Sequence, residues 1–214
     1  MSEAQKFRAW LGMIGPALFV FVFTVEGLLR PGYDWLSMYI SALSLGPRGW
    51  IQITNFIVFG LLLLDFTHGV MLEFHQIRSA RAGYYILAIL AVLYLLSGPF
   101  VMDPTGIPTN QSTVHGLLHR IFGGLVFLLM PICMFLFLKP FKEHPGWRSY
   151  RVWTLIAAVF DAVAVIVFTV ASKLPSLQPS FGDWFGLIQR IALVPFMIWV
   201  FTFALQLRKR SQMR

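Results

Sequence analysis

Apolar residues run through this chain in six long blocks, roughly 10–29, 50–71, 83–102, 114–138, 152–172 and 184–207, separated by shorter stretches that hold most of the charge. Each block is near the roughly 20 residues that carry a helix across a bilayer core. Hydrocarbon offers no partner to backbone N–H and C=O groups, so each block predicts an α-helix. The stretch 31–47, "PGYDWLSMYISALSLGP", is too short and too polar to span. Its Trp35, Tyr39, Ile40 and Leu43 recur at helical spacing, which predicts a short interfacial helix in the first outer loop. The expected fold is all-α: a polytopic integral membrane protein, with residues 1–214 forming a single six-helix transmembrane domain.

Composition agrees, with 57% hydrophobic residues and only 12% charged, against roughly a quarter charged in soluble domains. The block from Trp10 to Leu29 is too long for the apolar region of a signal peptide, and no small-x-small cleavage pattern follows it, so it is expected to remain as a helix. In a soluble protein the net charge of +8 would suggest nucleic acid as a partner; here the 17 Lys and Arg residues sort by loop. Twelve fall in the amino end, 72–82, 139–151 and the tail, whereas the opposite side holds Arg30, Arg48 and Lys173. The positive-inside rule then places both termini in the cytoplasm. This pattern predicts a multi-pass protein of a cell inner membrane, with membrane lipids and no nucleic acid as partners and a homo-oligomer left open. Cys133 is the one cysteine, which excludes an intramolecular disulfide.

An ionisable side chain within a span is costly and marks a functional candidate. At 1.5 Å per residue, Glu26 lies about 24 Å up the first helix, near the outer surface. His115, His119 and Arg120 lie within roughly 9 Å of the outer end of the fourth helix, and Arg190 about 9 Å down the sixth. Asp103 follows the third helix. Glu26, Asp103, His115, His119, Arg120 and Arg190 are therefore expected to line a polar pocket opening to the outer face. His115 and His119, four apart, share a helix face and with a carboxylate from Asp103 or Glu26 form a set that zinc accepts, and less selectively another divalent metal such as iron or manganese. No cofactor is certain from this spacing. A plainer reading has the histidines capping in the headgroup zone, with Arg120 and Arg190 reaching lipid phosphate or pairing with Glu26. Two histidines one turn apart cannot take opposite faces of one haem.

A deeper set comprises Asp65, His68 and Asp161. It reads as a proton relay from the cytoplasmic side, or as helix-to-helix hydrogen bonds that lock the bundle. Gly116, Gly123 and Gly124 permit close helix crossing, or leave space for a ligand beside His119.

"YDWLSMYISALSLGPRGW" followed by an apolar helix, then "GPFVMDPTG" and "HGLLH", resembles the bacterial and archaeal membrane proteins grouped as domain of unknown function 998. The resemblance covers most of the chain. It implies the same topology and directs attention to Ser37, Ser41, Asp103, Pro104, His115 and His119 without naming a chemistry. A looser similarity is to membrane hydrolases of the alkaline ceramidase kind, which hold zinc among helices; this chain departs from them in its six spans and in a histidine pair near the start of the fourth helix.

Three functions follow from these residues. The first is binding or transport of a lipid-like or anionic small molecule in the outer pocket. The second is a metal-dependent hydrolase of a lipid amide or ester, with His115, His119 and Asp103 as ligands and Glu26 as the candidate catalytic base. The third is a structural or partner-binding membrane protein. The residues alone do not choose between an enzyme and a binding protein.

Overall fold

The computed structural model describes residues 3–174 and 176–212. Its long helices are α1 (Glu3–Leu29), α2 (Gly49–Glu73), α3 (Arg81–Ser97), α4 (Val114–Glu143), α5 (Arg148–Lys173) and, after the single turn α6 (Gln178–Phe181), α7 (Phe185–Gln212). No strand occurs among the described residues. Six helical stretches are long and apolar enough to cross a membrane, as the six blocks predict. The third helix stops at Ser97, short of the expected 102. Pro99 has no N–H to return to the Leu95 carbonyl, so Gly98 takes that carbonyl in a tighter turn and residues 100–102 leave the helix.

Each long helix packs on its neighbour in sequence, and α7 closes the ring against α1. One end of the ring, the loop end, carries the connections 30–48 and 98–113 and residues 176–184. The other carries the tight turns 74–80 and 144–147 and both ends of the described chain, since Arg208 of α7 lies 3.9 Å over the Trp10 ring of α1.

Inside the ring, aromatic rings replace a conventional aliphatic core. Phe203 sits among Phe66, Phe74, Phe137, Phe141 and Trp147, with ring centroids 5.1–5.6 Å away from four of them and 6.3 Å from Phe74. Further toward the loop end, Phe19, Phe59 and Tyr94 stack at 4.7–5.7 Å. Edge-to-face and offset pairs of this kind add to simple burial and fix the ring orientations. Outward-facing positions are apolar too, with Leu61, Ile89, Leu128, Ile156 and Ile198 all exposed. Such a continuous apolar perimeter suits lipid tails and not water. The chain is a multi-pass membrane protein.

Backbone approach between α2 and α3 depends on Gly60. A Cβ there would lie 2.6 Å from the Leu95 nitrogen and 2.7 Å from the Ala91 carbonyl oxygen. Gly60→Ala is expected to destabilise the bundle by about 1–3 kcal/mol, read as a lower midpoint of unfolding in detergent. Gly124→Ala, which enters open space on α4, should leave that midpoint unchanged or raise it.

A buried carboxylate ties the terminal end together. Glu73 of α2 accepts hydrogen bonds from Trp147 Nε1 at 3.0 Å and Arg210 Nε at 3.2 Å, with His144 Nε2 3.7 Å away. One side chain thus links α2, the α4–α5 turn and α7.

Candidate ligand cavity at the loop end

The 30–48 segment is strapped to the bundle by charged side chains that bond backbone. Its only helix is a 3₁₀ turn over Ile40–Ser44, whose Ile40, Ala42, Leu43 and Ser44 are buried against the bundle. The helical spacing seen from Trp35 onward thus yields a shorter element, tucked inward, because its apolar residues find partners on α1, α2 and α7. Arg30 donates to the Leu43 and Leu45 carbonyls at 2.7 Å each. Glu26 receives Arg48 through two bonds of 3.0 and 2.6 Å, with Arg30 Nε at 3.6 Å. Arg190 of α7 donates to the Trp35 carbonyl at 2.9 Å, the Gly186 carbonyl at 2.8 Å and the Tyr33 hydroxyl at 2.7 Å. Burial pushes the Tyr33 phenol up, outweighing the pull of Arg190, so it stays a neutral donor to the Met38 and Tyr39 carbonyls. Asp34 is held below the usual carboxylate range by the Ser37 hydroxyl, then by the Leu36 N–H.

The second connection caps α4. Thr113 precedes the helix, and its hydroxyl accepts from the Gly116 N–H at 2.9 Å. Asp103 in turn accepts from the Thr113 hydroxyl at 2.7 Å and its N–H at 3.1 Å. A Cβ on Gly116 would collide with the Asp103 carboxylate, so the glycine lets the carboxylate close over the helix start. The peeled-away residues after Ser97 also serve the histidines. His115 Nδ1 is 3.2 Å from the Pro99 carbonyl oxygen, and the buried His119 Nδ1 2.7 Å from that of Phe100. Arg120 donates to the Ser112 hydroxyl at 2.8 Å.

Between this cap, α4, α5 and the strapped loop lies a cavity of about 470 Å³. Asp103, His119 and Arg120 line it; His115 does not, and neither do Glu26 or Arg190. Of the six residues expected to converge, three meet at the cavity and two hold the 30–48 segment. Gly123 and Gly124 recess its α4 wall, with nothing within 4 Å of a Cβ added at either. Phe127, Val165 and Phe168 give an apolar floor, while Lys173 adds a second cation to the lining. Lys173 had entered the sequence reading only as a loop charge. Gln189, whose side-chain oxygen receives the Ile40 N–H at 2.7 Å, and Tyr39 complete the α7 side. Leu128 lines the cavity while 55% exposed on the ring's outer face, so the space reaches the perimeter between α4 and α5.

The expected metal ligands have other engagements: Asp103 holds Thr113, and His115 turns to Pro99 outside the cavity. Among the described residues no group of three His, Cys, Asp or Glu side chains is placed to hold a metal. The deeper set is likewise dispersed. Asp65 lies 3.6 Å from Arg8, His68 is exposed on α2, and Asp161 is buried on α5, which packs on α4 and α7.

The model of the family described as protein of unknown function (DUF998) matches residues 13–206. The chain belongs to this family. The match takes in all six apolar helices and both loop-end connections that build the cavity. No curated protein and no solved structure matches the chain. Membership of DUF998 thus names no activity.

Proposed function

We infer that this DUF998 protein binds an anionic amphiphile drawn from the surrounding membrane, with the head group between Arg120 and Lys173 and the chain along the recess at Gly123 and Gly124. The observation that carries this is the pairing of two lining cations with an apolar floor in one cavity that reaches the lipid-facing perimeter. Guanidinium and ammonium donors in such a lining suit a phosphate or carboxylate. His119, its Nδ1 donating to the Phe100 carbonyl, gives the cavity wall a buried neutral ring beside the head-group site. Asp103 also lines the cavity, with its carboxylate turned to the Thr113 hydroxyl and N–H at the positive start of α4.

The asymmetry of the Lys and Arg residues supports an orientation with the loop end outside the cytoplasm, as in a bacterial inner membrane. On that reading the bound amphiphile comes from the outer leaflet. Binding of dodecyl phosphate to protein in nanodiscs, followed by calorimetry, tests the site. Arg120→Ala and Lys173→Ala should each weaken it about tenfold, the cost of a lost charge-assisted hydrogen bond. Equal affinity in the wild type and the double variant would exclude this site.

A further inference from the structure

Asp161 is fully buried half-way along α5, and neither carboxyl oxygen has a hydrogen-bond partner among the described residues. The helix-to-helix hydrogen bond that would give such a carboxyl a locking role is therefore not made. The two helices packed on α5 bury apolar side chains inside the bundle, Phe127, Met130 and Met134 from α4 and Leu193, Phe196 and Met197 from α7. The buried Tyr94 hydroxyl of α3 points to Met130 Sδ at 3.5 Å. The Cys133 thiol of α4 points to the Gly83 carbonyl. On α5 itself the flanking charges, Arg151 and Lys173, are about 15 and 18 Å away along the axis. A carboxylate without donor or cation in so dry a place is strongly disfavoured, so the resting form carries the proton.

What lies above Asp161 gives that proton a route. Val165, one turn toward the loop end on the same face of α5, lines the cavity floor, as does Phe127 on α4. The carboxyl thus sits about 6 Å beneath the floor, with these two side chains as its cover. We propose that Asp161 is a proton-binding site of the bundle interior, exchanging its proton with water that enters from the loop-end cavity past Val165 and Phe127. On release the proton passes to that water; on uptake the carboxylate takes it back, with no other bond changed. This goes beyond ligand binding and needs only the depth of the cavity, not the identity of what occupies it.

Dicyclohexylcarbodiimide, which adds to protonated carboxyls in apolar surroundings, tests the proposal on purified protein in nanodiscs, with the modified residue located by peptide mass spectrometry. Asp161 should be modified, more slowly as the pH rises, and the adduct should vanish in Asp161→Asn. Asp65, paired with Arg8, should stay unmodified at neutral pH. Phe127→Ala, which thins the cover, should speed the reaction about tenfold. Gly124→Leu, which fills the cavity without touching the carboxyl, should slow it about tenfold. An unmodified Asp161, or a rate that neither pH nor Gly124→Leu alters, would overturn the proposal. Dodecyl phosphate calorimetry reads the anion site separately: lost anion binding with labelling intact removes the amphiphile and leaves the proton site standing.

Discussion

Glu73→Ala is expected to destabilise the bundle by about 3–5 kcal/mol, the range for removing one partner of a buried ion pair. The Glu73 side chain is 1% exposed and that of Arg210 is 13% exposed. Deleting the carboxylate leaves the guanidinium, the Trp147 N–H and His144 without the acceptor they share. Three segments far apart in sequence meet at this group, so the loss should appear in global unfolding and not as local fraying. Unfolding in mixed micelles, followed by near-ultraviolet circular dichroism, gives the measurement, because Trp147 packs against Phe74 and Phe141 in the same cluster. Glu73→Met combined with Arg210→Met separates the two possible causes. If the penalty comes from a stranded charge, the double variant should recover most of the loss, since replacing both ions by apolar groups of similar size is often neutral. A single variant within about 0.5 kcal/mol of wild type would mean that water reaches the group and that the latch has no structural weight.

How far the sequence discloses this molecule depends on whether the determining interaction is local. The six spans were legible because a bilayer imposes length and apolarity on each segment separately. The early end of α3 was encoded just as locally, by Pro99, but an apolar run through Val101 masks it. Depth arithmetic put Glu26, His119, Arg120 and Arg190 near one level, and the structure does hold them all at the loop end. Which partner each one takes is not a local property. Glu26 and Arg190 are engaged by Arg48 and by loop carbonyls, and nothing in the spacing distinguishes those fates from a ligand site. The same limit hides Glu73, whose partners lie 71, 74 and 137 residues away. Gly123 and Gly124 were legible as small, but only the splay of α4 from α5 turns smallness into a cavity wall.

Arg190→Ala is expected to loosen the 30–48 segment, costing the strap about 2–3 kcal/mol locally and so speeding its amide hydrogen exchange about 30- to 160-fold. Arg190 holds Trp35, Gly186 and Tyr33 at 2.7–2.9 Å and lies 5.8 Å above the Phe23 ring, so its removal takes a donor from acceptors on two elements at once. Gly186 allows this closeness, since a Cβ there would lie 2.4–2.9 Å from the carbonyl oxygens of Met38, Trp35 and Leu36. The Met38, Ala42 and Leu45 amides, which all donate within the segment, are the ones to watch by exchange mass spectrometry. Because Tyr39 and Ser41 wall the cavity, anion binding should weaken as well, but only by the fraction of time the strap is open. Tyr33→Phe, which removes the bond from Arg190 together with the hydroxyl's own bonds to the Met38 and Tyr39 carbonyls and leaves the guanidinium, should speed exchange in the same segment. If Arg190→Ala instead abolished dodecyl phosphate binding while exchange over 33–45 stayed at the wild-type rate, the guanidinium would be gripping the ligand directly. In that case the strap described here would be incidental.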